Sequence, residues 1–117
     1  ALATAGAFHT RYMASALEGY AQAVETTGTS EPTTTLLSNA DGQAVTSAED
    51  AMTKLVAQLT RPVRWDLCNA TMRQLNITAI VEFPPAGALT GIAKRELRGV
   101  ATHAVKTPAD LDGLTEL

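Results

Sequence analysis

Apolar positions recur along this chain with two different periods, and the alternation between them predicts its elements. Met13, Ala16, Leu17, Tyr20 and Val24 fall at i, i+3, i+4, i+7 and i+11, one face of a helix over about residues 11–27. Thr10 stands ahead of it as N-cap and Gly28 behind it as C-cap. Thr33-Thr34-Thr35-Leu36-Leu37 is rich in β-branched residues and predicts a strand, and Ala40-Asp41-Gly42-Gln43 predicts a turn. Ser47-Ala48-Glu49-Asp50 resembles a capping box ahead of the stripe Met52, Leu55, Val56, Leu59. Arg61-Pro62 ends that helix, since proline cannot continue it.

Trp65, Cys68, Met72 and Leu75 mark the next helix. Ile77 to Phe83 is apolar except for Thr78 and Glu82, and lies between two helical patterns, as a buried parallel strand does. Pro84 to Gly87 is a tight loop. A helix follows from about Leu89 to Leu97, with Lys94, Arg95 and Arg98 near the end where cations complement the macrodipole. Val100 to Val105 reads as a last strand. Thr107-Pro108-Ala109-Asp110 opens a short final helix, with Thr as N-cap and Pro at the first helical position. Leu2 to Phe8 is a further short strand or extended segment. Strands alternating with helices define an α/β chain with parallel pairing. Three or four strands bury little by themselves, so the pattern is that of part of a larger sheet.

The 117 residues suit one small domain, with a normal hydrophobic share of 45% and a net charge of -3. The acidic balance excludes nucleic acid as a partner, because phosphate neutralisation needs a basic patch. No apolar run reaches the ~18 residues of a membrane span, and the first residues lack the basic region of a signal peptide. A single cysteine allows no internal disulfide, which fits a reducing, cytoplasmic setting. Two His and one Cys have no metal-ligand spacing, so no metal and no cofactor is expected.

The candidate chemistry starts at Gly6-Ala7-Phe8-His9-Thr10. Histidine exchanges protons near neutrality, and His9 stands where an extended segment enters a helix. This motif is followed in order by Leu37-Ser38-Asn39, by Gln58-Leu59-Thr60-Arg61-Pro62-Val63-Arg64-Trp65, and by Val81-Glu82-Phe83-Pro84-Pro85-Ala86-Gly87-Ala88-Leu89-Thr90-Gly91. With these four collinear motifs the chain resembles, over nearly its whole length, the C-terminal portion of the malonyl-CoA:acyl carrier protein transacylases, the acyltransferase family of fatty acid and polyketide synthesis. It departs from the family's frequent Gly-Pro-Gly at Pro84-Pro85-Ala86-Gly87. It also contains no Gly-His-Ser-x-Gly elbow, where the family carries its nucleophilic serine upstream of this region.

The resemblance implies the C-terminal part of a hydrolase-like acyltransferase subdomain spanning residues 1–117, with residues 1–8 closing a small ferredoxin-like subdomain. It implies transfer of malonyl from CoA to the phosphopantetheine thiol of an acyl carrier protein through an acyl-serine. Both are substrates rather than cofactors, and the serine belongs to an N-terminal half that becomes a partner of this chain. His9 would be the base. The backbone carbonyl of Gln58 would orient its imidazole, so Gln58→Ala, which keeps that carbonyl, is expected to cost little activity; the competing reading of Gln58 is an ordinary solvated helix residue. Ala7 and Phe8 would line the acyl pocket, where a phenyl ring crowds a branched methyl and favours malonyl. Alone, such a chain is expected to be inactive. The competing reading is a degenerate, non-enzymatic domain that docks a carrier protein.

Other residues have plainer readings. Cys68 shares the apolar stripe of Trp65 and Met72 and is a buried thiol. Asn39 suits a strand-to-turn position. His103 lies in a strand-like run and is structural. Arg64, Arg73, Lys94, Arg95 and Arg98 are scattered solvated charges.

Overall fold

The computed structural model describes residues 6–116. It divides into two compact units, one up to Cys68 and one from Asn69 onward. In the first, Thr10 accepts the Tyr12 amide on its side chain and caps a 3-10 turn, Arg11–Ala16, which continues as helix α1, Leu17–Glu25. The expected single α-helix over 11–27 is therefore corrected at both ends. No residue of Arg11–Ala16 is buried, so no packing imposes the 3.6-residue period there. The helix stops at Thr26, before Gly28, because the Thr26 and Thr27 hydroxyls bond back to carbonyls of the last turn. Of the expected stripe, Met13, Leu17, Tyr20 and Val24 are half-buried and Ala16 is exposed.

Helix α2, Ala48–Gln58, packs against α1. The Ser47 hydroxyl accepts the Asp50 amide at 3.0 Å, and the Asp50 carboxylate accepts the Thr46 amide at 3.0 Å, one residue earlier than the N-cap amide of a standard capping box. Thr33–Leu37, expected as a strand, is not one. It contributes a single antiparallel bridge, Leu37 to Ala44, across the Ser38–Gln43 turn. β-Branched composition reports only propensity; a strand also needs a partner of matching length, and this segment has none among the described residues. The expected strand at 2–8 lies mostly outside the described residues, and Gly6–Phe8 is bend and turn. Helix α3, Trp65–Gln74, follows Pro62 as its stripe predicts, and Cys68 on it is almost fully buried.

The second unit is a parallel β-α-β arrangement. Strand β1, Ala79–Glu82, pairs in parallel with β2, Ala101–Ala104, in the register Ala79 to Ala101 and Glu82 to Ala104. Helix α4, Ala88–Glu96, connects them and packs on both, with Ala93 and Thr90 buried. Only two strands are formed among the described residues, fewer than the three or four expected. The final helix, Pro108–Glu116, is 3-10 rather than α. Its start is as expected: the Asp110 carboxylate accepts the amides of Lys106 and Thr107 and the Thr107 hydroxyl. His103 is structural, with Nε2 donating to the Asp110 carbonyl at 2.6 Å. Several large apolar side chains stay exposed in the two units, among them Tyr12 at 71%, Phe83 at 65% and Phe8 at 53%.

Candidate active site

Ala7 to Thr10 form a tight turn rather than a strand end. The Thr10 hydroxyl donates to the Ala7 carbonyl at 2.7 Å and accepts the Tyr12 amide at 3.3 Å, so one side chain closes the turn and starts the next element. Between them His9 takes the left-handed conformation, with φ +62°. His tolerates that region better than most residues, although it remains sparsely populated for any side chain.

Two consecutive carbonyls at the end of α2 hold His9 there. The His9 amide donates to the Leu59 carbonyl at 3.1 Å, and its ring Nδ1 lies 2.8 Å from the Gln58 carbonyl. A carbonyl oxygen only accepts, so Nδ1 carries a proton, and in the neutral ring Nε2 presents its lone pair. The acceptor is available because the last carbonyls of a helix lack intrahelical donors. His9 and Gln58, 49 positions apart, are thus brought together. His9 is half-buried.

The competing reading of Gln58 as an ordinary, solvated helix residue does not hold. Gln58 is 4% exposed, and its Nε2 donates to the carbonyls of Arg61 at 2.7 Å and Pro62 at 2.8 Å. Sequence reasoning missed this clamp. The signal was present in a long amide donor placed three and four residues before two carbonyls that a proline keeps out of a helix.

Ala7 and Phe8 line none of the main cavities among the described residues. Both are exposed, and the Phe8 ring lies close over Gly6. A cavity of about 270 Å³ lies elsewhere in this unit, lined by Leu36, Leu37, Asn39, Met52 and Trp65 among others, and holds neither His9 nor Phe8. Asn39 uses its carbonyl to accept the Arg64 amide at 2.7 Å, a structural role. Burial raises the Cys68 thiol above its ordinary range, and its Sγ donates to the Ser38 carbonyl at 3.5 Å, so it is no nucleophile for His9.

In the second unit Glu82, read from sequence only as a polar residue within an apolar run, has a defined role. It is buried at the end of β1, and its two oxygens accept the amides of Gly87 at 2.9 Å, Leu89 at 3.0 Å and Thr90 at 2.8 Å. These are orphan donors at the start of α4. The Thr90 amide, then those of Leu89 and Gly87, outweigh desolvation and hold the carboxyl at about 2, against an ordinary 4.5. A charge committed to three amides is a structural anchor.

A histidine whose Nδ1 is held by a helix-end carbonyl, on an α/β chain, has the geometry a general base requires. Comparison with known proteins agrees. The chain is 69% identical over 120 residues to the malonyl CoA-acyl carrier protein transacylase of Mycolicibacterium smegmatis, covering 99% of this chain and 41% of that protein. The crystal structure of the Mycobacterium tuberculosis MCAT superposes with a TM-score of 0.91 at 66% identity, over 97% of this chain and 37% of that one. A malonyl-transacylase solved in complex with its type II PKS acyl-carrier protein matches with a TM-score of 0.89 at 29% identity, over 98% and 37%. No family model matches the chain. The chain is thus similar, over nearly its whole length, to the C-terminal portion of malonyl CoA-acyl carrier protein transacylases. It spans about two fifths of the length of the relatives it matches.

Proposed function

We propose that these residues form the histidine-bearing portion of a malonyl-CoA:acyl carrier protein transacylase. The observation that carries the reading is the 2.8 Å bond from His9 Nδ1 to the Gln58 carbonyl, which leaves Nε2 free as a base. The nucleophilic serine is supplied by sequence outside these 117 residues, and the large acyltransferase subdomain is completed there. The serine hydroxyl attacks the thioester carbonyl of malonyl-CoA while His9 Nε2 takes its proton. Collapse of the tetrahedral intermediate expels the CoA thiolate, which recovers that proton from His9 and leaves a malonyl-serine ester. The phosphopantetheine thiol of the carrier protein then gives its proton to His9, attacks the ester, and the serine is reprotonated. No metal or cofactor enters this sequence. Ala7 and Phe8 shape the acyl pocket together with the rest of the enzyme, which acts in the cytoplasm.

The test is malonyl transfer from radiolabelled malonyl-CoA to carrier protein by the full-length protein that contains these residues. His9→Ala lowers kcat/KM by about 10²–10⁴-fold, as loss of a general base does. The isolated 117-residue chain takes up no covalent label. Undiminished transfer by His9→Ala, or stoichiometric labelling of the isolated chain, overturns the reading.

A further inference from the structure

We infer that the Gln58 side chain, and not only its carbonyl, positions the catalytic base. The inference rests on the reading of His9 as that base. The direction of the Gln58 carbonyl depends on the path the chain takes immediately after α2. There the main chain offers the Leu59 amide to Val56 at 3.2 Å, the Thr60 amide to Ala57 at 3.3 Å and the Arg61 amide to Gln58 at 3.3 Å, and Pro62 has no amide to continue the series. The side chain supplies the missing ties. Its Nε2 donates to the carbonyls of both Arg61 and Pro62, at 2.7 and 2.8 Å. This also fixes the amide's orientation, because the flipped form would set an oxygen against two carbonyl oxygens. The result is a closed ring of contacts. Gln58 holds the turn by its side chain, the turn returns through the Arg61 amide to the Gln58 carbonyl, and that carbonyl holds His9 Nδ1. The adjoining Leu59 carbonyl holds the His9 amide. Release of the side chain frees both carbonyls to turn toward water and leaves a left-handed histidine with neither restraint.

Arg61 and Pro62 are exposed, so their carbonyls gain water when Nε2 is removed, and the Gln58 Oε1 has no donor among the described residues. Gln58→Met therefore keeps the volume, removes the two donations and strands no partner. The experiment uses the full-length protein with ¹⁵N-labelled histidine, the His9 signals being assigned by their loss in His9→Ala. In the parent protein, long-range ¹H–¹⁵N spectra show His9 protonated on Nδ1. In Gln58→Met a substantial Nε2-protonated population appears, and kcat for malonyl transfer falls on the order of 10-fold with KM little changed, in the range that loss of an orienting partner costs imidazole ligands. Gln58→Asn, whose shorter amide withdraws from both carbonyls, behaves alike. A parent-like tautomer ratio with parent-like kcat in Gln58→Met overturns the inference even if stability drops. Failure of both variants to fold overturns it as well, since Gln58 is then a folding determinant. A silent His9→Ala instead overturns the proposed base, while the tautomer measurement still reads the positioning.

Discussion

The Glu82 carboxylate, at the end of β1, accepts the amide of Thr90 in the first turn of α4 at 2.8 Å. Strand and helix are thereby joined across the Pro84–Gly87 loop by one buried charge that also takes the Gly87 and Leu89 amides. An anion at this place meets both the unpaired donors and the positive end of the helix dipole.

Because the folded carboxyl sits at about 2 and the ordinary value is 4.5, folding favours its ionised form. That contribution is complete above pH 4.5 and declines as pH falls from 4.5 through about 2. Glu82→Gln keeps the shape but loses the charge and one acceptor. Its denaturation midpoint is expected below the parent's at pH 7, with the gap closing as the measurement moves to pH 3. A constant gap across that range would show that the ionised carboxylate does not cap α4.

Gly42 ends the turn that carries Asn39. Its φ is +72°, and a Cβ there would lie 2.5 Å from the Leu67 Cβ. Both the strain and the clash are with backbone-anchored groups, so neither relaxes cheaply. Gly42→Ala is expected to destabilise the protein by on the order of 3 kcal/mol, read from urea unfolding at unchanged m-value. A loss below about 1 kcal/mol, the ordinary level for a glycine change, would mean that the turn moves aside freely.

Phe8 bears on the proposed selectivity. In the full-length protein Phe8→Ser should raise the methylmalonyl-to-malonyl ratio of kcat/KM values by relieving crowding at the acyl group. One methyl is worth only about 1–3 kcal/mol of discrimination, so the shift is at most about 10–200-fold. Equal ratios for parent and variant would place the ring outside the acyl pocket, as its 53% exposure in this chain permits only if the remaining sequence leaves it uncovered.

How far the residues spoke for themselves varies by element. The cap of α2 and the starts of α3 and of the last 3-10 helix were legible, because caps act within one or two turns, whereas of the α2 stripe Leu55 stays exposed. The parallel pairing of β1 and β2 followed from an apolar run on each side of one helix. Thr33–Leu37 misled because its β-branched run carries propensity without a partner. The pairing of His9 with the Gln58 carbonyl came from resemblance, since no local signal joins residues 49 positions apart.

By itself, then, the amino-acid sequence determined what short-range chemistry controls: which segments are helical, the capped starts of α2 and of the last 3-10 helix, and the β-α-β order of the second unit. Tertiary structure decided the rest. It placed the Glu82 charge under three amides, and it buried the Gln58 amide in the turn after α2. It also set His9 in a left-handed conformation between two helix-end carbonyls. The physical reason is common to all three. A buried polar group is stable only where its partners converge, and convergence belongs to the folded chain rather than to any stretch of it.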